Sequence, residues 1–252
     1  MKITGTKSKE LWISGINPVR EALRSETQTP DELLLARNDQ RAREMEELAA
    51  ARGIPVHRAT REQLSATAGH DHHQGAALRL NDFPYAELES LLQCPAPERD
   101  PLLALDSIQD PQNLGAILRS ACFLGAKGVI IPKDRSAPVS AAVMKIAAGA
   151  TSYIQVARIT NLSRALKSLK QAGYWIVGLD VGGGETLYEA DLTVPVCLVV
   201  GNEQKGIRPL VKSECDILVQ IPATGPLQSL NAATAAAIAL AEIQRQRLKA
   251  RG

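Results

Sequence analysis

In the second half of the chain the apolar positions cluster in short unbroken runs: LLALD, GVIIP, SYIQVA, YWIVGLD, VCLVVG and DILVQIP. Unbroken apolar runs, as opposed to alternating ones, belong to strands covered on both faces, so they predict a parallel sheet. Between them lie stretches with helical spacing, at Leu114–Leu124, Ser140–Ala147, Leu162–Ala172 and Ser229–Arg247. Strand and helix alternate throughout, the pattern of an α/β fold. The first part of the chain alternates less cleanly. LWISG, Glu32–Ala36 (ELLLA), PVHRA and GAALRL read as strands, Pro18–Leu23 as a helix start, and RAREMEELAAARG as an amphipathic helix ending at Gly53.

A polar, proline-bearing stretch, Gln93–Pro101, separates the two halves. Prolines at this density exclude regular structure, so the spacing predicts a small α/β domain over 1–92, a linker over 93–101 and a larger domain over 102–252. Charge sharpens the division. Residues 1–100 hold 13 Lys/Arg against 16 Asp/Glu, and the remainder 16 against 11, so the overall +2 hides a modestly basic second half that suits a polyanion. Aromatic residues make up only 3%, which argues against a platform for stacking bases. The N-terminal MKITGTKSKE is polar and there is no apolar run of about 18 residues, which predicts a cytosolic protein off the membrane. Cys94, Cys122, Cys197 and Cys215 lack paired or metal-ligand spacing and are expected to be inert thiols.

Ligands of open α/β sheets bind beyond the carboxyl ends of strands, and three clusters fall there. After LLALD, Asp110-Pro111-Gln112-Asn113 leads into a helix containing Gly115 and Arg119. Asn113 reads either as a helix N-cap or as a site residue, and Arg119 either as a solvated side chain or as a planar fork for phosphate with Gly115 clearing space beside it. After VCLVV comes Gly201-Asn202-Glu203-Gln204-Lys205-Gly206-Ile207, where Gly201 lets the backbone approach a ligand, Gly206 opens a helix, and Glu203 is equally a loop carboxylate or a site carboxylate. After DILVQIP, Gly225-Pro226 makes a turn before Ser229-Leu230-Asn231, with Ser229 as a cap and Asn231 in the first turn on the simplest reading. Gly182-Gly183-Gly184 lacks a following helix and is expected to be a flexible loop. His70, His72 and His73, in GHDHHQG, are expected to be RNA-facing or plain surface residues, not metal ligands.

Taken jointly, NLGAILRS, VGNEQKGI and IPATGPLQSLNAAT resemble, in order, the three motifs of the SpoU/TrmH family of SPOUT RNA 2′-O-methyltransferases. SGINPVREAL and His73-Gln74-Gly75 resemble that family's N-terminal substrate-binding module, a ribosomal-protein-like α/β domain, and point to its RlmB branch, which modifies a guanosine of 23S rRNA. The resemblance implies a trefoil-knotted parallel-sheet domain and homodimers with cofactor sites beside the subunit interface. It implies S-adenosyl-L-methionine held by Gly201, Ile221 and Leu230, largely through backbone, and a ribose and phosphate surrounded by Asn113, Arg119, Glu203, Ser229 and Asn231. No metal is needed for this chemistry. The family is commonly described with the arginine here numbered 119 as base. Arginine stays protonated, so a phosphate clamp is the easier role and Glu203 the alternative proton acceptor. A tRNA ribose methyltransferase of the same family is the first alternative, and a non-catalytic RNA-binding or ribosome-assembly protein the second.

Overall fold

The computed structural model describes residues 11–92 and 100–250; of the expected linker, residues 93–99, with Cys94, lie outside them. Through the first part run β1 (Leu11–Ser14), α1 (Ile16–Arg24), β2 (Pro30–Leu35), α2 (Gln40–Ala51), β3 (Val56–Arg58), α3 (Arg61–Ala68), β4 (Ala76–Leu80) and α4 (Leu88–Leu92). There follow β5 (Leu102–Leu105), α5 (Pro111–Phe123), β6 (Gly128–Pro132), α6 (Ala141–Ile146), a 3-10 turn (Ala150–Ser152), β7 (Gln155–Ile159), α7 (Leu162–Gln171) and β8 (Trp175–Leu179). The chain closes with β9 (Glu185–Thr186), β10 (Val196–Val200), α8 (Pro209–Lys212), β11 (Ile217–Gln220) and α9 (Ala232–Ala250). It divides into two compact units, residues 11–84 with 140–152, and 85–139 with 153–250 among the described residues.

The first unit carries a four-stranded sheet in the order β1-β4-β2-β3, antiparallel except for the β2–β3 pair. Its polar groups tie backbone to backbone. Arg52 donates to the carbonyls of Ala22 and Leu23, at the C-terminal end of α1, and to that of Gln28. A guanidinium there satisfies carbonyls that have no partner inside the helix. His73, expected at the surface, is buried at 3% exposure: its Nδ1 accepts from Gly75 N (3.0 Å) and its Nε2 pairs with Ser65 Oγ (3.2 Å). Two ring nitrogens so matched make His73 a clip for the 73–75 turn, where Gln74 and Gly75 both have positive φ. The helix α6 packs on β1 within this unit, and Lys145 reaches His70 Nε2 at 3.2 Å.

The second unit carries a seven-stranded, wholly parallel sheet in the order β7-β6-β5-β10-β8-β11-β9. Every residue of β5, β6 and β10 is buried, as unbroken apolar runs require. Leu102, Ala104, Ile130, Ile176, Cys197 and Val199 pack with Leu166 and Leu169 of α7 in one core. Gly183 is not in a free loop: a Cβ there would lie 2.6 Å from the Val219 carbonyl carbon, so the glycine run is what lets the chain press against β11 and add β9 beside it. Cys122, Cys197 and Cys215 are free thiols, and burial raises the pKa of each, that of Cys215 to about 12.

Candidate active site

Because all seven strands point the same way, their carboxyl ends share one edge. From β5 the chain builds outward through β6 and β7, whereas β10, β8 and β11 lie on the other side, so the order reverses between β5 and β10. Such a switch point opens a crevice, since the connections leaving the two strands diverge. Three loops of this unit leave that edge nearby: 106–110 after β5, 133–139 after β6 and 201–208 after β10.

A buried carboxylate joins two of these loops. Asp106 is fully buried and accepts from both the backbone N (2.8 Å) and Nε (2.6 Å) of Arg208, 102 residues further on. Asn202 Nδ2 donates to Ser107 O at 3.2 Å, and Asn202 Oδ1 accepts from Gln204 N and Lys205 N. Ser107 is held at φ 64, an unusual conformation for a non-glycine residue. Gly201 is required by the loop itself: a Cβ would meet the Gly206 carbonyl carbon at 2.3 Å. Gly206, expected to open a helix, instead closes a ring with Asn202 through paired backbone hydrogen bonds at φ 63, and α8 begins only at Pro209.

On this frame three polar residues from distant segments meet. Asn113 Nδ2 donates to Glu203 Oε1, Asn231 Nδ2 donates to Asn113 Oδ1 at 2.8 Å, and Asn231 Nδ2 also lies 3.5 Å from Glu203 Oε1. Local capping explains the arrangement. Asp110, not Asn113, caps α5, accepting from Gln112 N with Pro111 opening the helix. Asn113 is thereby freed in the first turn to make a tertiary contact, and is only 8% exposed. At α9 the expectation is reversed as well: Asn231, not Ser229, is the capping residue, its Oδ1 accepting from Ala233 N and Thr234 N. Its amide nitrogen is then aimed at Asn113 and Glu203. Both amides converge on Oε1, so Oε2 of the exposed Glu203 has no hydrogen-bond partner among the described residues.

Among the described residues no hydrogen bond joins the other expected site residues to this trio. Arg119 is exposed on α5, six residues beyond Asn113, which is about 9 Å along the axis and on another face. Ser229 and Leu230 lie in the exposed segment 222–230, whose backbone makes no hydrogen bond among the described residues. Gly201 and the half-buried Ile221 directly follow β10 and β11, on either side of the β8 terminus at the same edge. Asp106, Asn202 and Arg208 were not singled out in the sequence; only the adjacency of Asp106 to a strand end and of Arg208 to Pro209 marked them there.

Comparison with known proteins shows the family. The family model described as the SpoU rRNA methylase family matches residues 100–241, and that described as RNA 2′-O ribose methyltransferase substrate binding matches residues 12–86. An uncharacterized tRNA/rRNA methyltransferase of Mycolicibacterium smegmatis is 45% identical over 96% of this chain and 79% of its own length. The 23S rRNA (guanosine-2′-O-)-methyltransferase RlmB of Xanthomonas axonopodis pv. citri is 41% identical over 95% of this chain and 98% of its own. Among solved structures, the SpoU methyltransferase AviRb of Streptomyces viridochromogenes in complex with AdoMet superposes with a TM-score of 0.80 at 25% identity, over 96% of this chain and 92% of that one.

Proposed function

The chain belongs to the SpoU rRNA methylase family and is an S-adenosylmethionine-dependent RNA ribose 2′-O-methyltransferase, and we propose that its target is a guanosine of 23S rRNA. The observation that carries the site assignment is the meeting of Asn113, Glu203 and Asn231 at the switch point of the parallel sheet. The ribosomal target is supported by the RlmB relative, which this chain matches over nearly its whole length, substrate-binding module included.

The residues present fit the cofactor. Gly201 and Ile221 flank one stretch of sheet edge, and the exposed 222–230 segment that follows offers backbone donors and acceptors with no partner among the described residues. In this reading Gly201, Ile221 and Leu230 hold S-adenosylmethionine, which supplies a methyl group made electrophilic by its sulfonium. The chain's own work is to place a ribose hydroxyl in line and take its proton. An ionised carboxylate only accepts, and with Asn113 and Asn231 both donating to Glu203 Oε1, Oε2 is left to receive the 2′-hydroxyl proton. Asn113, buried and doubly bonded, fixes that carboxylate; positioning of this kind supplies a large share of a bimolecular barrier reduction. Arg119, permanently charged, grips a phosphate and offsets charge developing on the ribose oxygen, with Ser229 beside the ribose.

Arg119 stands away from the trio within one protomer, which fits a homodimer in which a second copy brings it to the site. We extend the same reading to a trefoil knot in the parallel-sheet domain, supported by β8 being laid down before β10 and β11 yet lying between them. It also includes an RNA-binding role for the N-terminal domain over 1–92, a linker over 93–101, a methyltransferase domain over 102–252, and a cytoplasmic location. A tRNA target is the second reading, favoured by the tRNA/rRNA naming of the mycobacterial relative. Incubating the protein with radiolabelled S-adenosylmethionine and separate pools of 23S rRNA, 16S rRNA and tRNA, then mapping 2′-O-methyl sites, tests the choice. Label at one guanosine of 23S rRNA is expected; label in tRNA alone overturns the ribosomal assignment.

A further inference from the structure

The third loop on the sheet's carboxyl edge, after β6, takes no part in the trio, yet it is built into the same rim. Lys133 N donates to Ile159 O at 2.7 Å, which fixes the loop's start on β7. Its far side is pinned to the loop that starts α5: Ala137 N donates to Ile108 O at 2.9 Å and Ser136 Oγ to the same oxygen at 3.3 Å. Val139 N donates to Tyr85 Oη at 2.9 Å, and the Arg158 guanidinium lies 5.2 Å from the centre of the Tyr85 ring. Between these anchors Lys133, Asp134 and Arg135 are exposed, and neither Lys133 Nζ nor the Arg135 guanidinium has a hydrogen-bond or ion-pair partner among the described residues. Arg135 is held at φ 61. A non-glycine residue in this conformation persists only where the surrounding structure imposes it, and such positions gather at functional sites.

We propose that Lys133 and Arg135 form a second phosphate-binding element, which grips the RNA backbone next to the nucleotide whose ribose is methylated. The inference rests on the proposed methyl-transfer site. β6 is two strands from β10, so the loop stands roughly two strand spacings, about 10 Å, from the Glu203 loop along the edge. That distance places the cations at a phosphate one or two nucleotides from the reacting one. Asp134 offsets one of the two charges, and Arg158, held by Tyr85 on the neighbouring strand, supplies another. A rigid loop with free cations suits a polyanion, since neutralising a phosphate releases counterions without first breaking an internal ion pair.

The test is equilibrium binding of the intact protein to a 23S rRNA fragment, measured by fluorescence anisotropy across a salt series, with S-adenosylmethionine affinity measured by calorimetry. The double variant Lys133→Gln/Arg135→Asn removes both charges, and Asn tolerates the left-handed backbone at 135 better than Arg does. RNA affinity is expected to fall about tenfold at about 150 mM salt, and the slope of log affinity against log salt to shrink by between about 1 and 2, while S-adenosylmethionine affinity stays the same. Arg164→Gln, on the exposed face of α7, should leave both quantities unchanged. An unaltered salt slope in the double variant overturns the proposal, and so does an equal loss in Arg164→Gln, which would reduce the effect to net charge. Because binding is measured without turnover, a protein that binds RNA through this loop but transfers no methyl group would refute the methyl-transfer reading alone.

Discussion

The two sheets of this protein use their polar residues in opposite ways. In the N-terminal unit the strands mostly run antiparallel, so loop ends are shared between two edges, and no single rim collects them. Its polar side chains serve the backbone: Arg52 caps α1 and His73 clips a turn. In the second unit every strand ends on the same edge, and segments as far apart as residues 113 and 231 deliver side chains to one place. Strand direction thus decides whether polar groups are spent on holding a surface or are gathered for chemistry. Within the parallel unit the division repeats on a smaller scale, with the buried Asp106 holding the frame and the exposed Glu203 keeping one carboxylate oxygen unbonded among the described residues.

Glu203→Gln should be the most damaging change to activity and among the mildest to stability. Methyl transfer is expected to drop at least about 100-fold, the usual worth of a positioned proton acceptor, with the thermal midpoint nearly unchanged. Asp106→Ala should invert that pattern. It strips the half-buried Arg208 of two contacts, one to a backbone N–H, and should cost about 1–3 kcal/mol by urea unfolding, the usual worth of hydrogen bonds to a charged group. In the N-terminal unit, Arg52→Ala should cost about 1–2 kcal/mol through loss of three carbonyl contacts, while methyl transfer to saturating RNA stays near normal. A loss of turnover as large as that of Glu203→Gln would break the contrast between the units.

The smallest expected effect is on pH dependence. Burial, and then the charge of Lys145, lowers the His70 pKa below its ordinary 6.5; its ring also faces Ser14 Oγ, His72 and His73. The folded state therefore binds this proton less readily than the unfolded chain. Stability is full above about pH 6.5 and is lost as the pH falls through that value toward the lower folded pKa. His70→Gln should flatten this part of the decline in thermal midpoint with acidification.

The parallel sheet was legible in the sequence because burial on both faces leaves unbroken apolar runs, and those runs fall on β5, β6, β8, β10 and β11. Helix ends were legible less often, because several residues competed for each cap. At α5 Asn113 had the chemistry of a cap, and only the fold shows Asp110 in that place and Asn113 turned toward Glu203. The Asp106–Arg208 tie was not legible, since no local pattern links residues 102 apart. His73 was misplaced for a similar reason: its ligands are a turn amide and a serine one helix away, and composition around it suggested only a polar loop. The packing of residues 140–152 with the N-terminal unit likewise depends on contacts distant in sequence.

The segment from Pro222 to Leu230 has one more consequence. Seven of its nine residues carry an amide hydrogen, Pro222 and Pro226 being the exceptions, and none of these is engaged within the described chain. In deuterated water they should exchange at close to the rate of an unstructured peptide, in contrast to the sheet beside them. A molecule that settles on this edge and bonds those amides should slow their exchange, so its occupancy is expected to show in a single proteolytic fragment, without a label and without a catalytic turnover.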